Sequence, residues 1–219
     1  MKLSHLVTLP GLALAIASPA LAQQPTQPAS APIGIYLQAQ GGGLLDPRAG
    51  PTFGIEFGER VQRHVIAFVT MSYFDDIMDQ ALVDDLARLS QNLTSGTGRV
   101  FSLKGRDRGV GFVAGAKYVV GTGTVKPYVG GGAGALAIRR RITDSRVGDV
   151  TAATLTEFGI GDLSLTTDQA TRPLAEAVVG VDFDFGRTQL NIGYRYHRAF
   201  RLAQPPDFSQ AVIGLGVNF

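Results

Sequence analysis

From Ile33 to Phe219 the chain repeatedly alternates apolar residues with small or polar ones, in eight separate segments. A period of two places successive side chains on opposite faces of an extended strand, so each segment has one apolar face and one small or polar face. The segments are Ile33 to Gln40, Pro51 to Gly58, His64 to Phe74, Asp107 to Val120, Val125 to Ile138, Leu174 to Phe185, Thr188 to Arg198 and Phe208 to Phe219. Strands of roughly this length with weak alternation suit a sheet that crosses a bilayer, and an even number allows it to close with both chain ends on one side. The pattern therefore predicts an all-β fold, an eight-stranded antiparallel transmembrane β-barrel.

The connections support the same arrangement. Gly58 to Arg63, Gly121 to Thr124 and Gly186-Arg187 are short, whereas Gly41 to Gly50, Asp75 to Arg106, Arg139 to Pro173 and Ala199 to Asp207 are longer. In an antiparallel meander these two sets fall at opposite ends, giving short periplasmic turns and long extracellular loops. A two-residue turn at Gly186-Arg187 sets Ala177, Val179, Val181 and Phe183 opposite Tyr196, Tyr194, Ile192 and Leu190, a wholly apolar set. The other face pairs Glu176 with His197, Val178 with Arg195, Gly180 with Gly193, Asp182 with Asn191 and Asp184 with Gln189. A one-residue slip would carry Arg195 and Asp182 into hydrocarbon, so this register is strongly specified. In the third strand Val65, Ala67, Val69, Met71 and Tyr73 are expected to face lipid, but Ile66, Phe68 and Phe74 opposite them are apolar too. The fifth strand is open: either Tyr128, Leu136 and Ile138 or Val129, Ala133 and Ala135 point outward.

Composition closes several function classes. The 219 residues include no Cys, which removes disulfides, Cys-based zinc sites and thiol nucleophiles. A net charge of +2 with interspersed signs gives no reason to expect a nucleic-acid partner. Beyond residue 22 no apolar run approaches the roughly 18 residues of a membrane helix. At the start, Lys2, the apolar stretch Leu6 to Ala17 and Ala20-Leu21-Ala22 have the layout of a cleaved export signal, residues 1–22. Residues 23–32, QQPTQPASAP, read as an extended Pro-rich linker, and 33–219 as the barrel domain.

On the inward faces the ionisable residues are Glu56, Lys117, Glu176, Asp182, Asp184, Arg195 and His197. Charges enclosed by eight strands must pair with one another or with water, so a structural plug or lumen network is the expected role. A carboxylate beside a histidine also suits acid-base chemistry, which stands as the sharper rival reading. Gly130-Gly131-Gly132-Ala133-Gly134 loosely matches a dinucleotide fingerprint, but it lies inside a strand pattern rather than a strand-to-helix turn, so no cofactor is expected. No metal site is expected either.

In the last segment Ala211, Ile213, Leu215, Val217 and Phe219 share one face and the chain stops at an aromatic. This resembles the C-terminal signature by which outer-membrane β-barrel proteins are recognised for insertion, with Ile213, Leu215, Val217 and Phe219 as its residues. Lys126-Pro127-Tyr128-Val129 followed by glycines, and Asn191-Ile192-Gly193-Tyr194-Arg195-Tyr196, resemble strands of small eight-stranded barrels of the outer-membrane protein A, X and W type. The resemblance implies a cell outer-membrane location, lipid and lipopolysaccharide as surroundings, and the barrel-assembly machinery and periplasmic chaperones as partners. The peptidoglycan-binding domain of the A-type proteins is expected to be absent, since the sequence stops at Phe219. No His-x-Ser arrangement occurs, so the resemblance does not extend to the lipid A deacylase family.

The leading expectation is a non-enzymatic outer-membrane barrel with a structural or surface-interaction role of the adhesion type. A narrow pore for ions or small solutes is the alternative, and a lipid A-modifying enzyme the third. Eight strands leave an interior that side chains roughly fill, which disfavours a wide channel. In the second long loop Asp75 and Asp76 can cap a helix, with Asp79 at its positive end and Leu82, Leu86, Leu89 and Leu93 at helical spacing. Its apolar face is expected to pack on other loops. Arg139, Arg140 and Arg141 end the fifth strand at the outer rim, where contact with lipopolysaccharide phosphates and a merely solvated basic rim are equally reasonable.

Overall fold

The computed structural model describes residues 34–46, 48–97, 100–144, 148–149, 169–200 and 207–219. The predicted signal segment 1–22 and linker 23–32 lie outside them. Eight long strands form the wall: β1 (Ile35–Asp46), β2 (Gly50–Gln62), β3 (Val65–Phe74), β4 (Leu103–Val119), β5 (Val125–Asp144), β7 (Gln169–Asp184), β8 (Thr188–Ala199) and β9 (Asp207–Asn218). A two-residue β6 (Gly148–Asp149) adds to the far end of β5, and one helix, α1 (Gln80–Thr97), lies between β3 and β4. Every long strand pairs antiparallel with both neighbours, and the β1–β9 pairing closes the ring. The result is a closed eight-stranded barrel with no free edge, the arrangement that satisfies every ladder position inside a bilayer.

The β7–β8 register matches the expected pairs, from Glu176 opposite His197 to Asp184 opposite Gln189. The turn that sets it is closed by a hydrogen bond from the Phe185 amide to the Thr188 carbonyl, 2.9 Å. Gly186 there has a φ of +86°, a conformation a side chain would strain. Burial alternates along the long strands, and the outward residues Leu37, Phe53, Ile55, Phe57, Met71, Phe112, Val129, Val179, Ile192, Ile213 and Leu215 are all exposed. An apolar belt this continuous needs lipid against it. No helix among the described residues is long and apolar enough to cross a membrane.

The two strands that periodicity left open are settled by pairing. In β3, Val69 and Met71 point outward while Ile66, Phe68 and Phe74 are buried inside. In β5, Tyr128, Leu136 and Ile138 turn inward and Val129, Ala133 and Ala135 outward. The glycines of β5 sit where the β4 backbone comes close. A Cβ on Gly134 would stand 1.8 Å from the Phe112 carbonyl oxygen. Gly134→Ala is therefore expected to force the β4–β5 seam apart and sharply reduce the yield of heat-modifiable barrel on refolding. Gly123→Ala, in the open β4–β5 turn, should refold like wild type. Equal yields for both would show that the seam has slack.

Three expectations about the loops need correcting. Gly41 to Gly50 is not a long loop: the strands run on to Asp46 and restart at Gly50. The glycines permit this, because a Cβ on Gly42 would stand 2.0 Å from the Ala211 carbonyl oxygen, so only Gly fits against β9 there. Second, β4 and β5 reach past the expected outer ends, to Leu103 and Asp144, and form a tall shared wall. Third, α1 forms, but its cap is Asp79, whose Oδ1 accepts the Ala81 amide at 2.8 Å. Asp75 and Asp76 instead bind arginines, Asp75 to Arg106 and Arg108, Asp76 to Arg48. Leu86 of α1 is buried with Met78 and Ile142, and Leu82 and Val83 pack beside them. The helix thus folds down on the inward side of the β4–β5 wall.

Candidate functional site: a charged layer sealed inside the barrel

The inward side chains form layers along the barrel axis. Towards the short-turn end, Tyr36, Ile66, Val119, Tyr128 and Val178 pack together. Towards the long-loop end, Leu44, Phe74, Ile77, Leu136, Ile138, Leu174 and Phe208 belong to a second apolar cluster. Between them lies a layer of charge. Glu56 comes from β2, Lys117 from β4, Glu176 from β7 and Arg195 from β8, each placed there because it takes an inward position of its strand.

Glu56 is the hub, and it is completely buried. Its Oε1 accepts hydrogen bonds from Lys117 Nζ and from the Tyr36 hydroxyl at 2.5 Å. Its Oε2 accepts from Arg195 Nη2 at 2.5 Å and from Thr70 Oγ1 at 3.1 Å. Arg195 donates a second bond through Nη1 to Glu176 Oε1 at 2.9 Å. Lys117 Nζ also stands over two rings, 4.7 Å from the Tyr128 centroid and 5.1 Å from that of Phe68. Two carboxylates thus face two cations with no excess of either sign, which keeps buried charges from being left uncompensated. This layer ties β1, β2, β3, β4, β7 and β8 together across the lumen.

Of the seven residues predicted to line the lumen, the layer joins Glu56, Lys117, Glu176 and Arg195. Asp182 lies nearer the short-turn end and accepts from Asn191 Nδ2 at 2.6 Å; the same nitrogen is 2.9 Å from the Tyr128 hydroxyl. Asp184 sits at the turn itself, bound to Lys126 and to the Gly186 amide at 2.9 Å. His197 does approach Glu176, with Nδ1 3.5 Å from Oε2. Its other nitrogen meets Gln210 Nε2 at 3.0 Å. Its ring stacks on Phe208 at 4.7 Å and meets the edge of Phe74 at 5.3 Å. The imidazole is buried and packs against Phe74 and Phe208 of the outer apolar cluster.

Sequence reasoning missed the neutral members of the layer. Tyr36 and Thr70 carry no charge to draw attention, and Phe74 and Phe208, whose rings meet 4.9 Å apart above the layer, look like ordinary strand residues. A signal was available: each is an inward position of its strand, so the parity of the register would have found them. The predicted arginine rim divides. Arg140 points inward and forms a bidentate pair with Asp107, Nε to Oδ1 at 2.9 Å and Nη2 to Oδ2 at 2.8 Å. Arg139 and Arg141 point outward and are exposed. The residues expected to form the insertion signature, Ile213, Leu215, Val217 and Phe219, all face outward, with Leu215 70% and Phe219 76% exposed.

Solved structures of the same shape exist. The chain superposes on Neisserial surface protein A, from Neisseria, with a TM-score of 0.51 and 15% identity, over 85% of this chain and 97% of that one. The N-terminal β-barrel domain of Pseudomonas aeruginosa OprF gives 0.51 and 14%, over 85% and 97%. The fold is that of the small eight-stranded outer-membrane β-barrels. A major outer membrane protein from Thermus thermophilus has the same likeness, TM-score 0.53 at 9% identity over 85% and 99%. Identities this low speak for the fold alone. No protein-family model and no curated protein sequence matches the chain. The strand motifs around Lys126-Pro127-Tyr128-Val129 and Asn191 to Tyr196 thus belong to a barrel of the expected kind, and both lie in its wall, in β5 and β8.

Proposed function

We propose that this protein is a non-enzymatic outer-membrane barrel whose lumen is closed and whose work is done at its long-loop end, as a structural element and interaction surface. One observation carries the reading. The charged layer is overlain by Phe74, Leu136, Leu174 and Phe208, all buried in one apolar cluster, which supports a lumen packed with side chains. Above this roof, the extended β4–β5 wall and α1 stand clear of the belt as a folded platform rather than loose loops. The export signal 1–22, the outer-membrane location and delivery by periplasmic chaperones and the barrel-assembly machinery are parts of the same proposal. The packed surroundings of His197, with both ring nitrogens facing lumen side chains, favour no hydrolytic role.

A narrow pore is the second reading, and one feature favours it. Both side-chain polar atoms of Gln40, and Nε2 of Gln38, are buried without a protein partner, which suits water inside the barrel. Single-channel recording of the refolded chain in a planar bilayer separates the two. The closed reading expects bilayers that stay silent apart from rare brief openings. Steady ohmic conductance at every insertion would replace it with the pore.

A further inference from the structure

We propose that the upper edge of β4, where that strand rises above the ring, docks an extended acidic segment of a partner polypeptide, which adds to it as a further strand. The inference rests on the interaction-surface reading and deepens it by naming the partner's chemistry and the edge that takes it. Pairing of β3 with β4 stops at Phe74 opposite Gly109, whereas pairing of β4 with β5 continues to Leu103 opposite Asp144. From Leu103 to Arg108, β4 therefore has a strand on its β5 side and none on the other among the described residues. Backbone groups of an antiparallel strand point alternately to its two neighbours. The Val119 amide bonds the His64 carbonyl and the Asp107 carbonyl accepts the Ile77 amide, so the odd-numbered residues of β4 aim at the uncovered side. Two groups at the ends of this stretch are taken: the Asp107 carbonyl holds Ile77 at 2.9 Å, and the Leu103 amide donates to Ser90 Oγ of α1 at 2.9 Å. Between them the Leu103 carbonyl, both backbone groups of Gly105 and the Asp107 amide face the edge and stay open among the described residues. Such a row is a template for one more strand.

The space beside the row has the chemistry to hold that strand. A cavity of about 960 Å³ is lined by Leu103 and Gly105 of the edge and by Val83, Leu86 and Ala87 of α1. Leu103 and Gly105 take the inward parity of β4, on the side where Leu86 packs, while Lys104 and Arg106 take the outward parity and are exposed. An added strand alternates in the same way, so one of its faces meets the leucine and valine side chains and the other meets the two cations. Arg48 and Arg108 line the same cavity, and the carboxylates paired with arginines there are Asp75 and Asp76. Four cations against two carboxylates leave an excess of positive charge, which favours Asp or Glu on the partner's outward face. A segment that alternates apolar and acidic residues therefore meets the open backbone groups, the apolar side and the cations together. Neither a lipid nor a free anion carries the alternating donors and acceptors that the edge presents.

The test uses the full chain refolded in detergent and a fluorescent heptapeptide that alternates valine and aspartate. Binding is read by anisotropy, and amide hydrogen exchange locates it. Wild type should bind the peptide, and exchange at Gly105 and Asp107, whose amides face the edge, should slow about tenfold or more on binding. The same peptide N-methylated at alternate amides should bind about tenfold more weakly, since it keeps its charge and loses its strand hydrogen bonds. Lys104→Gln with Arg106→Gln should weaken binding about tenfold, as each removes a charged partner, and Val83→Asp should weaken it by placing a like charge in the apolar side. Arg187→Gln, at the opposite end of the barrel, should bind like wild type. Equal binding of the methylated peptide, or unchanged exchange at Gly105 and Asp107, would reduce the contact to charge attraction and overturn the docking edge. A valine and lysine heptapeptide bound as tightly would overturn its acidic preference, and no binding of the aspartate peptide would overturn the site itself. Heat-modifiable mobility on a gel, checked first for every variant, keeps the two failures apart: a wild-type chain without it fails the barrel reading, whereas a heat-modifiable chain that ignores the peptide fails this inference alone.

Discussion

Glu56→Ala is expected to destabilise the barrel by about 3–5 kcal/mol, because it leaves Lys117 and Arg195 facing each other in a closed interior without their shared carboxylate. It also removes the acceptor of the Tyr36 and Thr70 hydroxyls. The measurement is the temperature at which the refolded protein loses its fast gel mobility. Glu176→Ala should cost less, since Arg195 retains Glu56. Glu56→Met combined with Lys117→Met should recover much of the loss, because removing both partners leaves no orphaned charge from that pair and Arg195 keeps Glu176. In a planar bilayer Glu56→Ala should also open more often than wild type, as Lys117 loses its carboxylate and Arg195 keeps only Glu176. A Glu56→Ala barrel as stable as wild type would mean that the layer contributes no net stability.

The second large effect is expected in cells rather than in the test tube. Replacing Phe219 with Asp should reduce outer-membrane insertion to a small fraction of wild type, while Asn218→Asp should leave it near normal. Phe219 ends the outward apolar row of Ile213, Leu215 and Val217, whereas Asn218 is on the inward parity and bonds the Gly186 carbonyl at 2.7 Å. Refolding of purified Phe219→Asp in detergent should remain close to wild type. An acidic residue near the membrane interface costs only about 0–1 kcal/mol, and the Phe219 amide still bonds the Ile35 carbonyl at 2.8 Å. The contrast between the two assays is the point: a stability defect would appear in both, a recognition defect only in cells. Equal amounts of heat-modifiable Phe219→Asp and Asn218→Asp protein in outer membranes would refute the signature.

Much of this barrel was legible residue by residue. Alternation is a local property of a strand, and turn chemistry is local to two or three residues, so the eight strands, the Gly186-Arg187 hairpin and the whole β7–β8 register could be read without a structure. Inward parity also follows locally, which is why Glu56, Lys117, Glu176 and Arg195 are legible as lumen residues. Strand ends were less legible. Gly41, Gly42 and Gly43 resemble a loop in composition, yet they continue β1, because at Gly42 the neighbouring backbone leaves room only for a hydrogen. The helix is visible in its leucine spacing but its cap at Asp79 is not, since three nearby aspartates are alike in sequence and differ in which groups stand near them.

Which inward residues meet is set by closure of the ring. Strand tilt and stagger, set when the sheet closes, determine which levels of opposite strands face one another, and no local pattern carries that information. Closure brings Glu56 of β2 to Arg195 of β8, far apart in sequence and on strands that do not pair. It seats Phe74 against Phe208 as a roof, and it settles the orientation of β3 and β5, where both faces are apolar enough to satisfy lipid or core. It also separates three consecutive arginines, sending Arg140 inward to Asp107 while Arg139 and Arg141 join Arg106 and Arg108 outside. The strands and the parity of their faces follow from the two-residue period of an extended chain. The contacts across the lumen and along the outer wall required the closed ring, because they join residues that only its curvature brings together.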